Sequence, residues 1–106
     1  MKPTDTEIKM SVIAHLIAGY VKGPMAIDGK GHSVEASYPS ACSWCLLGSF
    51  LASHFEATGS EPDVWTQPLW RRFEDSARKR ADRSPISYSD SPYTTLNDVI
   101  KLVEEA

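Results

Sequence analysis

Cys42-Ser43-Trp44-Cys45 has the C-x-x-C spacing used by two chemistries. A redox pair places a thiolate at a helix N-terminus, where the dipole lowers its pKa. A zinc site holds two thiolates with two further ligands, for which His15, His32 and His54 are available. No strand–helix context of the thioredoxin kind precedes this pair. A structural zinc site normally shows a second ligand pair at short spacing, and the chain has none. Cys42 and Cys45 therefore read first as small packing residues of an apolar helix. A cysteine nucleophile would need a histidine and an orienting group, and the spacing of the three histidines signals no such array. The chain reads as non-enzymatic, with no metal and no cofactor expected.

Asp28 and Asp90 both lie in turn-rich segments. Paired carboxylates can exchange protons or hold a cation. The plainer expectation is that each caps backbone N–H groups in its own turn. Gly29 and Gly31 precede no helix and form no phosphate loop. Arg71–Arg83 holds six basic and three acidic residues. Such a cluster can grip phosphates or an acidic protein surface. Glu74, Asp75 and Asp82 instead allow helical pairs such as Asp75–Arg78, Asp75–Lys79 and Glu74–Arg78. Trp65 and Trp70 lie close by, and Trp and Arg are the residues enriched at binding hot spots. Arg71, Arg72, Arg78, Lys79 and Trp70 are the expected partner-binding residues.

Four helices can position these groups. Thr4-Asp5-Thr6-Glu7 fits a capping box, and Ile8, Val12, Leu16 and Tyr20 follow at helical spacing, with Ile13 and Ile17 beside them. Gly19 or Gly23 ends that helix. Tyr20–Ser37 reads as extended chain, with a hairpin turning at Asp28-Gly29-Lys30-Gly31. Ala41–Phe55 reads as a central, charge-poor helix capped by Ser40, with Gly48 marking a close approach. A third helix is expected over Asp63–Asp82, with Pro68 either in its first turn or preceded by a short turn. Ser84–Thr94 reads as a loop whose Ile86 and Tyr88 can dip into the core. The last helix starts after Thr95, carries Leu96, Val99, Ile100 and Val103 inward, and frays at Glu104 and Glu105.

The 106 residues make one domain, mainly α, with a small hairpin or extended segment after the first helix. Three Trp, four Tyr and three Phe supply burial that a disordered chain lacks. No apolar run reaches the ~20 residues of a membrane span. Met1–Glu7 carries three charges and a proline and does not read as a secretory signal. A cytoplasmic location with free thiols is the expectation. The net charge of −3 hides a +3 segment at Arg71–Arg83 set in a −6 remainder. A nucleic-acid partner stays open through that segment but is not favoured by the overall acidity.

Four short motifs recur in a familiar order: Gly19-Tyr20-Val21-Lys22-Gly23, then Ile27-Asp28 with Gly31, then Trp44-Cys45-Leu46-Leu47-Gly48-Ser49, then Tyr88-Ser89-Asp90. Together they resemble an uncharacterised family of small bacterial and phage proteins, a domain of unknown function. That family's pattern runs Gly-Trp-x-x-Gly, Arg-Asp-x-x-Gly, Trp-Cys-x-x-Gly-Ala and Trp-Asn-Asp-x-x-Gly. Gly23, Asp28, Trp44, Cys45, Gly48 and Asp90 are the positions carried over, and they look structural. The resemblance implies a small protein of mobile elements and supplies no activity. The expected function is a phage-type accessory protein that binds, and can inhibit, a host protein or complex such as an antiviral nuclease assembly. The competing expectation is a zinc or small-molecule site built on Cys42, Cys45, a histidine and Asp28 or Asp90.

Overall fold

Thr4 starts the first helix as its sequence requires. Its hydroxyl accepts from Glu7 N at 3.1 Å, and Glu7 Oε1 accepts from Thr4 N at 3.3 Å. The computed structural model describes residues 3–106; the Met1-Lys2 part of the charged start lies outside them. Helix α1 (Asp5–Ala18) buries Ile8, Val12 and Leu16 and leaves Ile17 exposed. It stops at Gly19, whose N–H donates to His15 O at 3.0 Å.

The hairpin forms as expected from β1 (Ala26–Asp28) and β2 (Ser33–Val34). A third strand, β3 (Ala41–Trp44), pairs antiparallel with β1, giving the order β2-β1-β3. This corrects the expected helix Ala41–Phe55. Helix α2 runs over Leu46–Thr58, and its cap is Cys45 rather than Ser40. A charge-poor apolar run conceals the boundary, because strand and helix both bury such residues. Trp44 N–H donates to Gly19 O, Ala41 N–H donates to Tyr38 O and β3 pairs with β1, and the helical spacing of inward residues begins only at Leu46.

Pro68 divides the expected third helix. A 3-10 turn (Val64–Thr66) leads to α3 (Pro68–Ala81), with Pro68 at the first helical position. The expected loop Ser84–Thr94 contains a further short helix, α4 (Pro85–Asp90). Helix α3 ends at Ala81 with Asp82 in the left-handed region, and Ser84-Pro85 then starts α4: Ser84 Oγ accepts from Ser87 N at 3.1 Å, and Pro85 needs no N–H partner. Tyr88 is buried and Ile86 packs on the core, as expected. Helix α5 (Leu96–Glu105) opens on a second capping box, Thr95 with Asp98. The Thr95 N–H and hydroxyl at the Asp98 carboxylate lower its pKa. The end expected to fray continues as helix through Glu105 and is tied down. Lys9 Nζ donates to Glu104 O and Ala106 O, Arg72 Nη2 to Ala106 O, and Arg80 Nη1 to Glu105 Oε1. Three cations thus meet the negative end of the helix dipole.

The molecule is mainly α with a small antiparallel sheet. The core gathers Val12, Leu16, Leu46, Phe50, Trp70, Phe73, Val99 and Leu102. Phe50 is its aromatic centre, with ring centroids 5.3 Å from Trp70 and 5.7 Å from Phe73. Trp70 is fully buried, which corrects its expected place on the partner-binding surface. Among the described residues no helix is long and apolar enough to cross a membrane.

Candidate functional site

Three of the four motifs, those at 19–23, 44–49 and 88–90, converge on one junction, where the sheet meets α2 and α4, while Asp28 and Gly31 stay in the hairpin turn. Trp44 N–H donates to Gly19 O at 2.8 Å, and Val21 N–H to Trp44 O at 3.1 Å. These bonds cover the outer edge of β3. The Tyr20 hydroxyl donates to Ser89 O, and burial raises its pKa. Lys22 Nζ donates to Ser91 O at 2.5 Å and Thr94 O at 2.7 Å, and Gly23 N–H to Asp90 Oδ1 at 3.0 Å. Segment 19–23 therefore bonds both β3 and the chain around α4.

Gly48 and Gly19 permit the close approach. A Cβ on Gly48 would lie 1.8 Å from Met25 O, and one on Gly19 would lie 2.4 Å from Cys42 O. Both obstacles are backbone. Cys45 N–H donates to the same Met25 O at 3.2 Å. A small residue at position 48 is thus a condition of laying the sheet against α2.

The two cysteines stand apart in role. Cys42 is exposed on β3, which corrects its reading as a packing residue of an apolar helix. Cys45 occupies the N-cap, buried, and its Sγ accepts from Gly48 N at 3.4 Å. Burial pushes its thiol pKa up, and nearby Asp90 adds to the rise. That is the reverse of an activated thiolate. Among the described residues no three His, Cys, Asp or Glu side chains gather as a metal site would require. Asp28 Oδ1 accepts from Lys30 N and His32 N, both at 2.9 Å. Those bonds lower its pKa, with the His32 N–H contributing most. Asp28 thus caps its own turn as expected, whereas Asp90 accepts from the distant Gly23 N–H rather than from its own turn.

One array resembles a hydrolytic triad. His15, buried between α1 and α2, has Nδ1 2.8 Å from Ser11 O and 3.3 Å from Ser53 Oγ. Its Nε2 lies 3.1 Å from Glu56 Oε1. The Ser11 carbonyl can only accept, so Nδ1 carries a proton and is no base toward Ser53. Ser53 is itself 1% exposed, out of reach of a substrate. His15 pins α1 to α2, and its ring meets Trp44 edge-on at 4.7 Å.

The remaining candidates lie on α3. Arg71, Arg72, Arg78 and Lys79 are all exposed, at spacings that place them on the outer side of the helix. Arg83, just beyond α3, is exposed as well. Arg72 is partly committed, with Nη1 2.9 Å from Asp5 Oδ2. Arg78 Nη1 lies 3.7 Å from Asp75 Oδ1, the expected i,i+3 pair. Among the described residues Arg71, Lys79 and Arg83 have no carboxylate partner. Trp65, 64% exposed in the 3-10 turn, is the tryptophan that faces solvent here. The sequence alone could not separate it from Trp70. A helix continuous from Asp63 would align Trp65 with Leu69, Phe73 and Ala77, with Trp70 alongside; the break at Pro68 takes Trp65 out of that row.

Comparison of the chain with protein-family models, with curated proteins and with solved structures gives no match.

Proposed function

We propose that the chain is a non-enzymatic binding domain whose outer α3 face engages an acidic surface on a protein partner. The observation that supports this reading is the set of exposed cations Arg71, Lys79 and Arg83, which no carboxylate of the described residues neutralises. Arg72 and Arg78 extend the positive row, and Trp65 adds an exposed aromatic at its start. Such cations raise association rate and set register when they meet carboxylates. The non-enzymatic part rests on the buried Ser53, the committed His15 and the raised thiol of Cys45. The motif resemblance directs the partner toward a host protein or complex of a phage or mobile element, an antiviral nuclease assembly among them. Cytoplasmic action belongs to the same reading.

Affinity capture from the native host, followed by mass spectrometry, tests it. The combined variant Arg71→Glu, Lys79→Glu and Arg83→Glu should lose the protein captured by the natural chain while keeping its melting temperature. Undiminished capture removes α3 from the interface. Capture of nucleic acid instead, weakening steeply between 50 and 200 mM salt as expected for about 6–10 phosphate contacts, replaces the protein partner with a polyanion.

A further inference from the structure

A second surface of opposite character lies around the segment joining β2 to β3. Tyr38 N–H donates to Glu35 O, and Ala41 N–H to Tyr38 O, both at 3.0 Å. Ser37 Oγ donates to Glu61 Oε1 at 2.9 Å. These bonds hold Tyr38 outward, 56% exposed, between two clefts. The first, of about 230 Å³, is walled by Tyr38, Trp44 and Phe55, with Glu56 among its lining residues. The second is a shallow groove of about 610 Å³ past Met25 and Val34, with Glu35 among its lining residues.

Three features of this face point to one occupant. Met25, Tyr38 and Phe55 are three of the large apolar side chains left exposed, and they sit together here. Apolar surface grouped in this way marks interaction sites. Among the described residues neither cleft is lined by Lys or Arg, whereas Glu35 and Glu56 line them and Glu61 stands beside Ser37. Trp44 is already fixed, its Nε1 donating to Ala36 O at 3.0 Å and its ring braced by His15. A cation is attracted by aromatic faces and by carboxylates alike, and a fixed wall lowers the ordering cost of binding. Glu56 Oε1 already lies 3.1 Å from His15 Nε2, but its side chain stays largely exposed, so an acidic segment would still meet repulsion from Glu35 and Glu56.

We infer that the Tyr38 face docks a basic segment of a protein partner, an Arg or Lys side chain entering between Tyr38, Trp44 and Phe55 and an apolar neighbour lying over Met25 and Val34. This does not rest on the α3 reading, since the two faces carry opposite charge and share no residue.

The test is NMR titration of the full chain with the peptide acetyl-Leu-Arg-Ala-Arg-amide, and separately with acetyl-Leu-Glu-Ala-Glu-amide. The arginine peptide should shift the Trp44 indole N–H and the amides of Tyr38, Phe55 and Glu56, and the glutamate peptide should leave them in place. Tyr38→Ala should weaken binding at least fivefold, and Glu35→Gln with Glu56→Gln by a similar factor, while the α3 and α5 resonances stay put. The inference is overturned by absence of these shifts, by equal shifts from both peptides, or by unchanged affinity in both variants. Concentration-dependent dimerisation that moves the same resonances also overturns it, by assigning the face to a second copy of the chain.

Discussion

At the sheet–α2 junction, Tyr20, Lys22 and Gly23 donate to Ser89, Ser91, Thr94 and Asp90, and Cys45 caps its own helix. On the outer side of α3, Arg71, Lys79 and Arg83 face solvent with no carboxylate partner among the described residues. The junction holds three of the four motifs, and its polar groups serve the fold. The α3 face has no motif, yet it keeps unused charge. Motif residues can therefore be framework, while the basic excess of Arg71–Arg83 stays at the surface. Substitutions in the first region should unfold the protein. Substitutions in the second should leave it folded and unable to bind.

The largest contrast is between two tryptophans. Trp70→Ala should cost about 3–5 kcal/mol in denaturant unfolding, because it empties the space beside Phe50 and Phe73. Trp65→Ala should change stability by less than about 0.5 kcal/mol. Equal effects would erase the distinction between core and surface along α3.

Gly48→Ala comes next, at about 1–3 kcal/mol or more, because the new methyl meets the Met25 carbonyl and neither backbone can yield easily. A stability equal to that of the natural chain would show that the sheet does not press on α2.

The cysteines sharpen the comparison further. Iodoacetamide should label Cys42 in the folded protein and Cys45 only after denaturation, as peptide mass spectrometry will read. Cys45→Ala should cost about 1 kcal/mol through loss of the cap, and Cys42→Ala much less.

A smaller effect is expected from His54. Burial lowers its pKa, and its Nε2 is buried without a hydrogen-bond partner. Protonation therefore favours the unfolded chain. Stability should be full above the ordinary histidine value of about 6.5 and decline as pH falls through it toward the folded value. His54→Leu should flatten the profile between pH 7.5 and 5, measured by denaturant unfolding. An unchanged slope would assign the pH dependence elsewhere.

Much of this arrangement was legible in the residues. The capping boxes at Thr4 and Thr95, the turn at Asp28 and the close approach at Gly48 each rest on local chemistry that survives folding. What was hidden depended on distant partners. Ala41–Trp44 became a strand because β1 and Gly19 accept and donate to it, and nothing within the run announces that. Ser84-Pro85 begins a short helix inside a segment whose polar residues and proline read as a loop. Trp65 and Trp70 differ in fate through the break at Pro68, which fixes the angular position of everything after it. Phe55, the last residue of the expected charge-poor helix, lies at the exposed rim of α2 beside Tyr38.

Transferred cross-saturation addresses the division between framework and docking face most directly. The deuterated chain is mixed with its unlabelled captured partner, and saturation passing from partner to chain is read at each amide. Signal loss should concentrate within residues 68–83 and spare residues 19–23, 44–48 and 88–90. Losses centred on the junction, with residues 68–83 untouched, would make the motifs the interface and leave the α3 charges without a role.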